Sequence, residues 1–136
     1  MKGAVNMQLL FIEQTKGTPQ IDFNPQTNLL KIKGQSYPEN AFKFYEPILN
    51  WVDEYLTVAE GEILINIEFN LPYINTSSSK CIMMFFEKLE KAHSIGKNVI
   101  VNWFYDLENE SELECAEEFK EDVTVPFNII PITLNN

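Results

Sequence analysis

The second half of the chain alternates strand-like and helix-like segments, and this alternation restricts the fold more than any other feature. Apolar runs rich in β-branched and aromatic residues predict strands at residues 62–70, 98–105 and 125–130. Between them, apolar residues recur at steps of three and four over residues 81–95 and within the acidic residues 106–122, which predicts two amphipathic helices. Strands that alternate with helices are joined by right-handed crossovers, so this half predicts a parallel sheet covered by helices.

The first half adds strands that are joined differently. Residues 7–13, 20–23 and 29–33 predict strands, and a turn at residues 24–28 joins the last two into a β-hairpin. Residues 36–40 predict a helix start, because a polar residue is followed by an early proline and an acid. The apolar helical face that follows runs from Ala41 to Leu56, and we expect a kink or a restart at Pro47.

These elements predict a single α/β domain over residues 1–136, with residues 1–6 as a flexible leader. The predicted sheet is mixed and partly parallel, is covered by helices, and follows the order β-β-β-α-β-α-β-α-β.

Composition argues against several classes of function. The formal net charge is −10 at pH 7, which disfavours binding to nucleic acid or to an anionic membrane surface. Two cysteines are too few for a disulfide framework, and the one histidine, His93, lies at a predicted helix end where a structural role is favoured over catalysis or zinc binding. We find no secretory signal and no apolar run of membrane-spanning length. We therefore expect a cytoplasmic protein that is not an enzyme and that has no cofactor and no metal.

Four consecutive hydroxyl residues, Thr76, Ser77, Ser78 and Ser79, lie after Asn75 where a predicted strand is followed by a helix. The first backbone N–H groups of a helix lack intrahelical acceptors, and the helix dipole favours negative charge there. Such a place can hold a phosphate, either on a bound ligand or on one of the hydroxyls. Capping by Asn75 or Thr76 accounts for one residue but not for four. A regulatory phosphosite is therefore favoured, with capping alone as the alternative.

Other short motifs add no chemistry. Residues 77–80 match the Ser-x-x-Lys pattern of penicillin-binding enzymes, but the companion motifs of those enzymes are missing. The five glycines form neither a Walker nor a dinucleotide-binding pattern. The acids of residues 108–122 lack the spacing of a calcium loop, and we interpret them as a solvated helix face.

Several segments together resemble the SiaC family of regulatory phosphoproteins. The resemblance runs from about Gln8 to Ile130, and its most specific motifs are Ser-Tyr-Pro-Glu-Asn at residues 36–40 and Asn-Thr-Ser-Ser at residues 75–78. Further matching segments are residues 18–19, 34–35, 51, 73–74, 103–106, 116–119 and 126–127. The resemblance implies a fold similar to STAS domains and anti-sigma-factor antagonists.

In that family, a dedicated kinase phosphorylates the threonine of the Asn-Thr-Ser-Ser motif and a metal-dependent Ser/Thr phosphatase removes the phosphate. The resemblance therefore implies that Thr76 is the phosphosite. Unphosphorylated family members bind and activate a diguanylate cyclase, which implies a role in bacterial cyclic-di-GMP signalling and biofilm formation. Kinase, phosphatase and cyclase are thus the implied partners.

We expect Asn75 to cap the helix, and Ser77 and Ser78 to supply amides or hydroxyls near the phosphate. The expected partner surface consists of Tyr37, Pro38, Glu39, Asn40 and Tyr73. A purely structural helix start is the alternative for residues 37–40. Two other functions stay open, namely a small enzyme that uses residues 75–78 as a phosphate site and an anion- or ligand-binding STAS-like module without phosphorylation.

Overall fold

The computed structural model describes residues 6–133, which form a six-stranded sheet and three helices. The strands lie side by side in chain order: β1 (Leu10–Ile12), β2 (Gln20–Asn24), β3 (Leu29–Lys33), β4 (Leu64–Asn70), β5 (Asn98–Asp106) and β6 (Phe127–Ile132). The first three strands are antiparallel neighbours, whereas β3 to β6 are all parallel. The predicted α/β class, element order, mixed sheet and β2–β3 hairpin are confirmed.

Helices α1 (Ala41–Val58), α2 (Thr76–Ser94) and α3 (Glu110–Glu121) connect the parallel strands. Because crossovers between parallel neighbours are right-handed, all three helices cover the same face of the sheet. Burial along β4 follows this arrangement, since Ile65 and Ile67 are buried and Glu68, on the opposite face, is only half-buried. The same connections place the first turn of every helix at the carboxyl end of the sheet, where β3 to β6 end.

Stacked aromatic rings fill the space between the sheet and helices α2 and α3. Trp103 of β5 stacks on Phe69 of β4 with ring centroids 4.8 Å apart, and on Phe119 of α3 at 5.2 Å. Phe86 of α2 lies 5.3 Å from Phe69 and 5.5 Å from Phe119. Since these rings come from two strands and two helices, the aromatic stack fixes the helices on the sheet.

The first helix begins later than predicted. Its N-cap is Asn40, whose side chain accepts a hydrogen bond of 3.0 Å from a backbone N–H of the first turn. Pro38 and Glu39 therefore precede the helix, and the predicted acid in its first turn is wrong. Of the kink or restart predicted at Pro47, the restart is wrong, because α1 is continuous from Ala41 to Val58. Pro47 lies on the exposed side, where the carbonyl that loses its N–H donor can bond water.

One further boundary differs from prediction, and one chain end lies mostly outside the description. β1 is shorter than the predicted residues 7–13. α2 begins at Thr76, directly after the expected cap Asn75, so the hydroxyl residues form its first turn ahead of the apolar pattern of residues 81–95. The helix ends near His93 as predicted, with Gly96 at a φ of 95°. Of the predicted leader at residues 1–6, residues 1–5 lie outside the described part of the chain.

We predict that Phe69→Ala lowers the free energy of unfolding by about 3–5 kcal/mol, because it leaves a cavity inside the aromatic stack. Phe42→Ala makes the same change at a side chain that is 55% exposed, and is expected to cost less than about 1 kcal/mol. Urea titration followed by tryptophan fluorescence measures both values. Equal losses in the two variants would contradict the central role of the stack.

Candidate functional site at the carboxyl end of the sheet

The loops that follow β3 and β4 continue side by side beyond the strands. The N–H of Ser36 donates to the carbonyl of Tyr73 at 2.8 Å, and the carbonyl of Ser36 accepts from the N–H of Asn75 at 2.9 Å. These bonds form a parallel bridge between Ser36 and Ile74. The two motifs at residues 36–40 and 75–78, which are far apart in sequence, therefore meet at one place.

Asn75 is the N-cap of α2. Its side-chain Oδ1 accepts a hydrogen bond from the N–H of Ser78 at 2.9 Å, and its carbonyl accepts one from Ser79 at 2.9 Å. Sequence alone left Asn75 and Thr76 as alternative caps, and the cap is Asn75. Thr76 and Ser77 follow with exposed side chains, and within residues 6–133 their backbone N–H groups have no hydrogen-bond acceptor.

Ser78 differs from its two neighbours because its side chain is fully buried. The buried Ser36 Oγ donates to Ser78 Oγ at 2.8 Å and lies 2.7 Å from the hydroxyl of Tyr45. We refer to Ser36, Tyr45 and Ser78 as the Ser36 cluster. Contrary to expectation, the amide of Ser78 is engaged by the cap Asn75 and its hydroxyl is buried, so in this position Ser78 offers neither to a phosphate on Thr76.

Two of the predicted partner residues form an aromatic pair. The rings of Tyr37 and Tyr73 lie 5.9 Å apart, and Tyr73 is 54% exposed. The N–H of Tyr37 donates to the carbonyl of Gly17 at 2.8 Å. A Cβ added to Gly17 would lie 3.3 Å from the Tyr37 ring, so the ring rests directly on the glycine. No sequence pattern pointed to Gly17.

The other predicted partner residues lie in the same loop. Pro38 is half-buried, while Glu39 and Asn40 are exposed, although the Asn40 side chain also caps α1. Phe42, in the first turn of α1, is 55% exposed and was missed by sequence reasoning. The feature of the sequence that could have revealed it is an aromatic residue outside the apolar face of the helix. The carboxyl end of the sheet thus presents exposed aromatic rings as well as hydroxyl groups.

The acidic residues of α3 form a solvated helix face with one exception. Glu112 is buried, and its Oε1 accepts a hydrogen bond of 3.2 Å from the N–H of Asp106. Burial raises the pKa of the Glu112 carboxyl, and hydrogen bonds oppose the shift. Within residues 6–133, no three His, Cys, Asp or Glu side chains are grouped as a metal site requires. None of the helices in the same residues has the length and apolar character needed to cross a membrane.

The chain is similar to known proteins over most of its length. A family model described as SiaC family regulatory phosphoprotein matches residues 12–132. An uncharacterized protein of Pseudomonas aeruginosa (strain UCBPP-PA14) is 40% identical over 123 residues, which cover 90% of this chain and 96% of that protein.

Two solved structures are similar over nearly the whole chain. Apo-SiaC from Pseudomonas aeruginosa is 38% identical with a TM-score of 0.84, and the match covers 91% of this chain and 99% of that one. A second structure shows the diguanylate cyclase SiaD in complex with its activator SiaC from the same species. The matched chain is 39% identical with a TM-score of 0.84, and the match covers 90% of this chain and 99% of that one.

The fold and these matches define a regulatory protein built on a helix-covered α/β sheet. The matched residues 12–132 contain both motifs, at residues 36–40 and 75–78. The chain belongs to the SiaC family, and the resemblance seen in the sequence is confirmed.

We predict that alkaline pH destabilises the fold through Tyr45. Burial raises the pKa of its hydroxyl from 10.0 to about 12, although the hydrogen bond with Ser36 opposes the shift. Between these values the unfolded chain loses a proton that the folded chain keeps, so the free energy of unfolding falls as pH rises, by about 2 kcal/mol at pH 12. Tyr45→Phe removes this contribution. Urea titrations of both proteins from pH 9 to 12 test it, and parallel losses of stability would refute it.

Proposed function

We propose that the chain is a non-enzymatic bacterial signalling regulator that binds a diguanylate cyclase and is switched by reversible phosphorylation of Thr76. The observation that carries this proposal is the exposed Thr76 side chain in the first turn of α2, directly after its cap. The SiaC protein named as the activator of the cyclase SiaD is 39% identical over 90% of this chain, which supports a cyclase as the partner. The biological role that follows is control of cyclic-di-GMP synthesis and of biofilm formation.

The proposed partner surface lies around the aromatic pair. It consists of Tyr37, Pro38, Glu39, Asn40 and Tyr73. We add the exposed Phe42 from the first turn of α1. Large aromatic side chains dominate many interfaces because they bury much apolar area with few rotatable bonds. The bridge between the two loops brings this surface next to Thr76. A partner that covers Tyr73 therefore also approaches the phosphosite.

Phosphate on Thr76 has opposite effects on the free chain and on the complex. It adds about −1.5 to −2 charges, which the helix dipole and the free N–H groups of Thr76 and Ser77 favour. Lys80 is exposed four residues further along α2, the spacing of intrahelical ion pairs. In a complex, the same charge has to lose water beneath the partner, which is unfavourable. Phosphorylation is therefore expected to release the cyclase.

Exposure limits which hydroxyls a kinase and a metal-dependent Ser/Thr phosphatase can reach. Thr76 and Ser77 are exposed, Ser79 is half-buried and Ser78 is buried. The family motif favours the threonine over the adjacent serine. The kinase and phosphatase are therefore proposed to act on the same exposed turn that the cyclase covers.

We predict that Thr76→Ala abolishes phosphorylation, whereas Ser77→Ala, the matched control on the same exposed turn, keeps it. Each variant is co-expressed with the kinase of the same organism, and intact mass counts the phosphates while fragmentation locates them. One phosphate on wild type and on Ser77→Ala, with none on Thr76→Ala, supports the assignment. A phosphate that persists at full stoichiometry in Thr76→Ala would refute it.

The switch itself is tested by the effect of charge on binding. Thr76→Asp is expected to weaken binding to the diguanylate cyclase of the same organism at least tenfold in calorimetry, while the isosteric change Thr76→Val is expected to leave it within about threefold. Equal affinities for the Asp and Val variants would argue against release by charge. Lack of binding by wild type would remove the cyclase as the partner.

Tyr73→Ala is predicted to lower cyclase affinity roughly tenfold or more, because the variant removes the most exposed ring of the pair. Leu64→Ala is the control, since Leu64 is 52% exposed but lies at the start of β4, at the opposite end of the sheet. The same calorimetric titration measures both variants. If the Leu64 variant loses as much affinity as the Tyr73 variant, the partner surface lies elsewhere.

A further inference from the structure

Ser36 joins three structural elements around the proposed phosphosite through four hydrogen bonds. Its main chain bonds Tyr73 and Asn75 in the loop before α2, at 2.8 and 2.9 Å. Its fully buried side chain bonds Tyr45 of α1 at 2.7 Å and Ser78 of α2 at 2.8 Å. A residue in the β3–α1 loop thus bonds both the loop before α2 and the first turn of α2.

The residues next to these hydrogen bonds in the chain belong to the proposed switch. Tyr37 directly follows Ser36 in the chain, and its ring contacts Tyr73. On the other side, Asn75 directly precedes Thr76. Ser36 therefore precedes one tyrosine of the pair in the chain, bonds the main chain of the other, and bonds the residue that precedes the phosphosite.

We propose that Ser36 is a positioning residue that couples the phosphorylation state of Thr76 to the Tyr37–Tyr73 pair. The proposal rests on the proposed function and adds how the partner reads the mark, since phosphate and rings are presented in one fixed arrangement. A buried hydroxyl network whose members all have partners holds few alternative geometries. Removal of the Tyr45 hydroxyl takes one hydrogen bond from the buried Ser36 Oγ, and removal of the Ser36 hydroxyl takes one from Tyr45 and one from Ser78. The two loops are then joined only by the main-chain bonds of Ser36, so their relative geometry is less restricted.

Two tyrosines of α1 supply a matched pair of variants. The hydroxyl of Tyr45 belongs to the Ser36 cluster, whereas the buried Tyr55, ten residues along α1, donates to Oδ1 of Asn28 at 2.6 Å. The carbonyl of Asn28 accepts from the N–H of Asn66 at 2.9 Å, at the beginning of β3 and β4. Tyr45→Phe and Tyr55→Phe each remove one buried hydroxyl from the same helix. The two variants therefore make the same chemical change at different positions.

Amide hydrogen exchange tests the coupling without any partner. Tyr45→Phe is expected to speed exchange at Asn75 and Ser36 at least tenfold relative to amides of β5, and to leave Asn66 unchanged relative to that strand. Tyr55→Phe is expected to speed exchange at Asn66 and to leave Asn75 unchanged. A uniform change throughout the sheet in both variants would reduce Ser36 to general stabilisation and would overturn the proposal.

A binding cycle then tests whether the coupling reaches the partner surface. The affinity lost on Thr76→Asp is measured for the cyclase in three backgrounds: wild type, Tyr45→Phe and Tyr55→Phe. The loss is expected to shrink at least threefold in Tyr45→Phe and to be unchanged in Tyr55→Phe. An equal loss in all three backgrounds would overturn the proposed coupling.

The two experiments separate the failure of this inference from the failure of the proposed function. If Thr76→Asp has no effect in wild type, the phosphoswitch fails, and the exchange experiment still decides whether Ser36 links the two loops. Ser36→Ala gives a second route, with the same expected exchange pattern as Tyr45→Phe. If Ser36→Ala does not fold, the paired tyrosine variants alone decide the outcome.

Discussion

The parallel pairing of β3 and β4 is the constraint on which the rest of the molecule depends. It does not stop at the strand ends but continues to the bridge between Ser36 and Ile74. Because the paired strands run in the same direction, the loops that leave them meet at the same end of the sheet, and the first turns of α1 and α2 follow there. The candidate site lies where these two loops meet, and the aromatic stack keeps the helices in place on the sheet.

Sequence patterns predict the architecture well because hydrophobic periodicity follows burial. β5 alternates buried and partly exposed residues along its length, and α2 buries residues at helical spacing, so both are recognisable from their residue patterns alone. The errors fall where local signals compete. Pro38 and Glu39 have the composition of a first helical turn, yet they lie between the bridge at Ser36 and the N-cap Asn40, and the helix begins only after that cap.

The sequence named the residues of the candidate site but not their geometry. The family resemblance pointed to Thr76 within the hydroxyl run, and the side chain of Thr76 is exposed. No pattern distinguishes Ser78 from Ser77, because burial of Ser78 depends on hydroxyl groups contributed by α1 and by the β3–α1 loop. The role of Gly17 could not be predicted either, since its lack of a side chain leaves room for the ring of Tyr37. Such contacts join residues that are distant in sequence, whereas patterns in one amino-acid sequence give information only about residues close together along the chain.

The unequal burial of the hydroxyl residues has a consequence for any enzyme that modifies them. A denatured chain would present all of Thr76, Ser77, Ser78 and Ser79 as equivalent short side chains in a flexible peptide, whereas the native fold withdraws Ser78 completely. Selectivity therefore resides partly in the substrate, and a modifying enzyme that works on the native state needs less discrimination of its own. If this turn is phosphorylated as proposed, misfolded copies would carry a different pattern of phosphates from native ones, and the modified residue would then distinguish the two.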